Sequence, residues 1–167
     1  MKTKRYIVSF LLVSVTAVEL LFSREATAQQ YTPKPGSPER VAIMDAARLA
    51  QQTSVQFSVS YLSIFRDGMI AIAVADLNDA AKQMPYGGLV FFESNNGRWR
   101  ALYSMYMDGS ESCKMTVKLS EIMISKARAM RAPSTFFPSS FFIGYKAAVS
   151  SLAKDGAESD CAATAIY

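Results

Sequence analysis

Apolar residues recur along the chain at three different spacings, and each spacing predicts a different element. A nearly continuous apolar run extends from Tyr6 to Phe22. Between Pro38 and Gln51 apolar residues recur every three or four positions, which predicts a helix that begins after the capping residue Ser37. From Ser54 to Tyr61 apolar and polar residues alternate, so we expect a half-buried strand there.

Two turn motifs connect this strand to three more. Asp67-Gly68 precedes a second strand from Met69 to Leu77. Asn95-Asn96-Gly97 separates a third strand, Leu89 to Glu93, from a fourth, Arg98 to Met107. Short turns of this kind join antiparallel neighbours, so the pattern predicts a four-stranded antiparallel meander.

Alternation in the first and fourth strands predicts which side chains share a buried face. In the first strand these are Val55, Phe57, Val59 and Tyr61. In the fourth strand they are Trp99, Ala101, Tyr103 and Met105. We expect the single tryptophan to anchor the core.

Helical spacing returns after the strands and predicts helices from Val117 to Arg131 and from Ser140 to Lys154. The segment Phe136 to Phe142 contains four phenylalanines, which we expect to fill the interface between the sheet and the helices. The alternative is an exposed patch for a partner protein or the membrane surface. The predicted fold class is α+β, with an N-terminal helix packed on the four-stranded antiparallel meander and two C-terminal helices after it.

The apolar run at the start of the chain has the flanks of a secretory signal peptide. Basic residues precede it, and Ala26-Thr27-Ala28 follows as a cleavage site before Gln29. Glu19 interrupts the run, which disfavours a permanent membrane anchor. We expect residues 1–28 to be a signal peptide, 29–37 a flexible lead-in and 38–167 a single α+β domain. The expected product is periplasmic or secreted, with no stable membrane insertion after cleavage.

Export would place the two cysteines in an oxidising compartment, so Cys113 and Cys161 are predicted to form a disulfide bond. The chain has no histidine, which excludes nucleophiles activated by imidazole and metal sites built on histidine. The sequence has no spacing typical of a metal or cofactor site, and we expect neither. Much of the excess positive charge precedes Gln29, so the composition gives no case for binding nucleic acid.

Several motifs resemble a group of small exported bacterial proteins of unknown function. They are the helix start Pro35-Gly36-Ser37-Pro38-Glu39-Arg40 with Ile43 and Asp45-Ala46, the hairpin Asp67-Gly68-Met69-Ile70-Ala71, and Gly97-Arg98-Trp99. In this chain Met69-Ile70 stands where those proteins have an aromatic residue. The resemblance covers about residues 35–103. It implies an exported domain of a helix and a meander, similar in outline to cystatin-like or nuclear-transport-factor-like folds, and it carries over no catalytic residues.

Methionine, phenylalanine and tyrosine are abundant, which is typical of a domain with a groove or surface that binds other molecules. The leading prediction is therefore that the protein binds an unknown protein or small molecule. The candidate binding residues, expected on the concave face of the meander, are Tyr86, Arg98, Arg100, Tyr103 and Tyr106. The alternative is a small exported enzyme with a carboxylate pair, or a tyrosine and lysine acid-base pair, in a cavity of the sheet. Its candidate carboxylates are Asp76, Asp79, Glu93, Glu111 and Glu121.

Overall fold

The computed structural model describes residues 28–51, 54–80, 88–105 and 112–155. Within them, five antiparallel strands form one sheet in chain order. The strands are β1 (Gln29–Tyr31), β2 (Phe57–Asp67), β3 (Ile70–Asp79), β4 (Gly88–Asn95) and β5 (Arg98–Met105). The helices are α1 (Pro38–Gln51), α2 (Cys113–Ala129) and α3 (Ser139–Asp155), with a 3-10 turn at Ser134–Phe136. The predicted α+β class and the bounds of the first helix are confirmed.

The prediction of four strands was one strand short, because the expected lead-in contains β1. Gln30 pairs with Phe65 of β2, and Tyr31 pairs with Ile64. The Gln30 side chain also donates a hydrogen bond to the hydroxyl of Ser63 at 3.1 Å. Three residues are too few to show alternation, and the prolines that follow them are typical of a loop.

Both predicted hairpins are present. The β2–β3 turn consists of Gly68 and Met69, one residue later than expected, and Gly68 has a φ of 59°. In the β4–β5 turn Asn96 and Gly97 have φ values of 54° and 80°. Positive φ at both positions is the conformation that an Asn-Gly hairpin turn requires. These tight turns place both hairpin tips at the same end of the sheet.

Two β-bulges overturn part of the predicted faces. The register of β2 shifts between Val59 and Tyr61, and these residues pack on opposite sides of the sheet. In β5 the register shifts between Ala101 and Tyr103, which separates them in the same way. One extra residue reverses the face of every residue beyond it, and an alternating sequence does not mark its position.

Helix α1 packs on one face of the sheet. Its buried residues, among them Ile43 and Ala47, belong to one core cluster with three alanines of β3, namely Ala71, Ala73 and Ala75, and the strand nearest to the helix is β5. Trp99 of β5 also packs on this cluster but is only partly buried, so it lies at the margin of the core.

Helices α2 and α3 cover the other face, where the phenylalanines lie. Phe136, Phe137 and Phe141 are 0%, 7% and 2% exposed, which confirms that they belong to the core. The Phe137 and Phe141 rings stack with their centroids 4.5 Å apart. Phe142 is only partly buried and contacts the same cluster. The alternative of an exposed phenylalanine patch is therefore excluded for three of the four.

The two C-terminal helices are present with shifted bounds. Helix α2 begins at Cys113 rather than Val117, because the Ser112 side chain accepts a hydrogen bond from the backbone N–H of Met115 and caps the helix. It ends at Ala129, and Arg131 follows with a φ of 59°. Helix α3 differs from its predicted bounds by one residue at each end.

Cys113 begins α2 and is fully buried. It is not a free thiol. Its predicted partner, Cys161, lies outside the described residues, as does the predicted signal peptide up to Thr27. The Cys113–Cys161 pairing stays a prediction.

Candidate recognition surface

Three of the predicted binding residues lie on β5. Arg98 and Arg100 are exposed, whereas Tyr103 is partly buried with its ring centroid 6.5 Å from that of Phe91. Tyr86 and Tyr106 lie outside the described residues. The structure therefore brings the two arginines together on an accessible strand and directs Tyr103 toward the core.

Helices cover both faces of the described sheet, so its middle is a filled core rather than an open concavity. Helix α1 contributes Ile43 to one core cluster, and α2 contributes Met123 to the other. Among the described residues, the exposed large apolar side chains lie on the three helices and at the β2–β3 hairpin. The end of the sheet that carries the two hairpin tips is therefore where the described sheet itself exposes large apolar side chains.

The two hairpin tips lie side by side and are joined by a hydrogen bond from the backbone N–H of Asn96 to the carbonyl of Met69, at 3.3 Å. Met69 is 69% exposed and Ile70 is 50% exposed. Ile70 pairs with Asn95, which in turn pairs with Arg98 across the hairpin. We call Met69, Ile70, Arg98 and Arg100 the tip surface.

Geometry places the residues of the tip surface within reach of one ligand. Neighbouring strands lie about 4.8 Å apart, so Ile70 on β3 and Arg98 on β5 are separated by about 10 Å. Arg100 lies two residues beyond Arg98 and points to the same side of the sheet. Met69 adds an apolar side chain at the turn itself.

Behind the tip surface, Glu93 joins the sheet to α2. Its carboxylate accepts a hydrogen bond from Arg100 at 2.8 Å and lies 3.5 Å from the ammonium group of Lys126. The hydrogen bond from Arg100, together with the nearby charge of Lys126, lowers the pKa of Glu93 below its usual range, although burial opposes the shift. The side chain of Arg100 is still 72% exposed, so the ion pair positions it without removing it from solvent.

A second ionic cluster lies on the α1 side and ties three elements together. Tyr31 of β1 donates a hydrogen bond to Glu39 of α1 at 2.8 Å, and Arg66 of β2 donates to the Tyr31 hydroxyl at 3.1 Å. Arg66 also forms an ion pair with Glu39. Burial raises the pKa of the Tyr31 phenol, and the hydrogen bond to Glu39 adds to the shift, while Arg66 opposes it. Because every group has a partner within the cluster, its role is structural.

Two of the candidate carboxylates of the enzyme alternative have hydrogen-bond or ion-pair partners in the structure. Glu93 is held by two cations, and Glu121 is exposed on α2, where it accepts a hydrogen bond from Tyr145 at 3.5 Å. Asp76 is partly buried on β3, whereas Glu111 and the side chain of Asp79 lie outside what the structure describes. The enzyme alternative stays a prediction. Within the described ranges no group of three or more acidic, cysteine or histidine side chains is arranged to hold a metal ion.

The arginines of the tip surface are predicted by the sequence, but its apolar half is not. The alternating pattern places Met69 and Ile70 at the start of the second strand, yet the turn occupies Met69 and leaves Ile70 at the first strand position. A large apolar residue directly after a hairpin glycine was the signal available, because the turn leaves its side chain little protein to pack against.

Among the described residues, no helix is both long enough and apolar enough to cross a bilayer. No protein-family model matches the chain, and neither a curated protein nor a solved structure matches it. The relation to small exported bacterial proteins, drawn from the helix-start and hairpin motifs, therefore stays a prediction.

Proposed function

We propose that this chain is an exported binding protein that contacts a partner through the tip surface. The observation that carries the proposal is the exposure of Met69 and Ile70, 69% and 50%, beside two exposed arginines on paired hairpins. Large apolar side chains and arginines in one patch are typical of the centre of a protein interface. We expect the partner to be a protein.

The tip surface is rigid enough to bind without a large ordering cost. Its residues belong to strands or to tight two-residue turns, and the Asn96–Met69 hydrogen bond joins the two hairpins. Arg100 is further held by Glu93. A surface that is already in its binding conformation loses less conformational entropy when a partner docks.

Protection of the sheet edge is the simpler explanation for charged residues on β5, which is the last strand of the described sheet. Arginines on an edge strand discourage pairing with another sheet. That explanation accounts for Arg98 and Arg100 but not for Met69, because an exposed methionine at a hairpin tip gives no such protection. Recognition accounts for both halves of the surface.

Charge defines the chemistry of the expected partner. Arg98 and Arg100 are both exposed, and Lys126 lies behind them on the far side of Glu93. These three cations outnumber the two nearby carboxylates, Glu93 and the exposed Asp67 that pairs with Ile70, which favours a partner that presents carboxylates next to an apolar side chain. Such a partner would place the apolar group against Met69 and Ile70.

Affinity capture with matched variants tests the proposal. The immobilised protein, beginning at Gln29, is incubated with extract of the exported fraction, and bound proteins are quantified by mass spectrometry. Met69→Ser is compared with Leu49→Ser, because Leu49 is 81% exposed on α1. Arg98→Glu is compared with Lys34→Glu, since both residues are exposed. We expect the tip variants to reduce capture of a specific partner by about tenfold, the effect of losing one interface hot spot.

All four substitutions are at exposed side chains, so thermal unfolding should be unchanged and should confirm that each variant is folded. Equal capture by wild type and tip variants would refute the proposal. So would an equal loss in the Leu49→Ser and Lys34→Glu controls.

A further inference from the structure

Positive charge is distributed very unevenly over this fold. From Ser112 to Asp155, the part that forms α2 and α3, the sequence has seven lysines and arginines and only two acidic residues. The other described residues, which form the sheet and α1, have six basic and six acidic residues. The small net charge of the whole chain therefore conceals one strongly basic layer.

Helices α2 and α3 form a single antiparallel layer. Cys113 and Val117, at the start of α2, pack with Ala148 and Leu152, near the end of α3. Both helices place buried residues on the same face of the sheet. Each helix has 17 residues, or about 25 Å of length, so together they present a broad surface on the side away from the sheet.

The outer surface of this layer combines cations with apolar side chains. Six basic residues are exposed, namely Lys114, Lys118, Arg128, Arg131, Lys146 and Lys154. Between them lie Met115 and Ile143, both 47% exposed, and Val149, 41% exposed. Glu121 is the one acidic side chain described on this surface, and Tyr145 is its partner. We call this outer surface of α2 and α3 the basic layer.

From this arrangement we infer that the basic layer binds peripherally to an anionic lipid surface. Lysine side chains can rest their methylene stems on the protein and extend their ammonium groups to lipid phosphates. Basic clusters close to an anionic bilayer are attracted to it without any specific pocket. The protein would lie with its two helices against the headgroups, and the sheet and α1 would face away from them.

The exposed apolar residues distinguish a lipid surface from a soluble polyanion. Met115, Ile143 and Val149 gain nothing from a polyanion, whereas a bilayer offers them the boundary between headgroups and acyl chains. They are too few and too scattered for insertion, so attraction between charges must carry most of the binding. Binding should therefore weaken steeply as the ionic strength rises.

Vesicle co-sedimentation tests the inference directly. The protein beginning at Gln29 is mixed with vesicles of equal parts phosphatidylglycerol and phosphatidylcholine, or of phosphatidylcholine alone, at low and high salt. We expect binding only to the anionic vesicles at low salt. The double variant Lys118→Gln with Lys146→Gln lowers the net charge by two, and Lys34→Glu, outside the layer, lowers it equally. The double variant should lose at least about tenfold in partitioning, and Lys34→Glu should lose far less.

Further variants and a second ligand test the contribution of the apolar side chains and the alternative of a soluble polyanion. Ile143→Ser should weaken vesicle binding, whereas Leu49→Ser on α1 should leave it unchanged. Heparin serves as the soluble polyanion, and it should bind equally to wild type and Ile143→Ser. Met69→Ser should not alter vesicle binding, so this result is independent of the tip surface.

Absence of binding to phosphatidylglycerol vesicles would overturn the inference. Equal losses in the double variant and in Lys34→Glu would also overturn it, because they would indicate a response to net charge alone. Binding to heparin without binding to vesicles would assign the layer to a soluble polyanion instead.

Discussion

Strand β3 differs between the two faces of the sheet, although the neighbouring strands place large apolar side chains on both faces. Strand β3 presents Ala71, Ala73 and Ala75 to α1, and it presents Ile72 and Val74 to the α2–α3 side. On the α1 side, the small residues of β3 pack between larger residues of the neighbouring strands, such as Ile64 and Phe92. On the other side, the branched residues of β3 pack with a cluster of phenylalanines.

The side-chain contacts that hold the helices to the sheet also differ between the two faces. The α1 side is fastened by the Tyr31–Glu39–Arg66 cluster, which joins β1, α1 and β2. The α2–α3 side relies on stacked rings, with Phe137 lying against Phe141. Around β3, the α1 face therefore depends on close packing of small residues and on a hydrogen-bonded ion pair, whereas the other face depends on stacked aromatic side chains.

The largest effect is expected from truncating the aromatic face. Phe141→Ala should lower the free energy of unfolding by about 3–5 kcal/mol, because Phe141 is 2% exposed and its loss leaves a cavity beside Phe137. Phe142→Ala on the same helix should cost less, because Phe142 is only partly buried. Urea unfolding measures both. Equal losses would mean that burial does not govern this face.

Enlarging a residue on the α1 face should produce the next largest effect. Ala73 is fully buried between Ile64 and Phe92, its neighbours across the strands. Ala73→Leu should therefore cost about 1–3 kcal/mol through overpacking. Ala147→Leu, at an exposed position of α3, is the matched control and should change stability little. A neutral or stabilising Ala73→Leu would contradict the tight fit inferred for this face.

Breaking the ionic cluster of the α1 side should cost less than either core substitution. Glu39→Gln removes the ion pair with Arg66, whose side chain is 38% exposed, so we expect a loss of at most about 1 kcal/mol. Asp45→Asn breaks the more exposed pair with Arg48 and should cost almost nothing. Thermal unfolding measures the loss of stability in each of the two variants. A larger loss in Asp45→Asn would reverse the ranking.

The smallest expected effect is the pH dependence of the free energy of unfolding that Glu93 causes on the α2–α3 side. Because the pKa of Glu93 is lowered in the folded protein, its ion pairs stabilise the fold above the ordinary glutamate pKa of 4.5, and this contribution disappears as the pH falls through the lowered value. The stability difference between wild type and Glu93→Gln should be a few tenths of a kcal/mol near neutral pH and should shrink in acid. Parallel stability curves down to acid would contradict the assignment.

Local signals predicted much of this fold. Ser37, Pro38 and the apolar spacing after them fixed the first helix, and Asn96-Gly97 fixed the second hairpin, because caps and tight turns depend on a few adjacent residues. The burial of the phenylalanines was also predictable, since four large apolar side chains in seven residues are costly to leave in water.

Features that depend on distant pairing were not predictable. β1 exists because Gln30 and Tyr31 meet β2 more than thirty residues away, and the bulges at Val59/Tyr61 and Ala101/Tyr103 arise only in the assembled ladder. The site was predicted in part. Arginine on the last strand suggested recognition, but Met69 became a candidate only when the turn placed it in solvent.

We propose that the exposed hairpin tips, rather than helix α1 on the other face of the sheet, contact the partner. Site-specific photo-cross-linking distinguishes these two surfaces, with p-benzoylphenylalanine placed at position 69 or at position 49. Met69 and Leu49 are both largely exposed, at 69% and 81%, so the two probes are equally accessible. We expect a discrete protein adduct from position 69 and none from position 49. An adduct from position 49 alone, or none from position 69, would contradict this proposal.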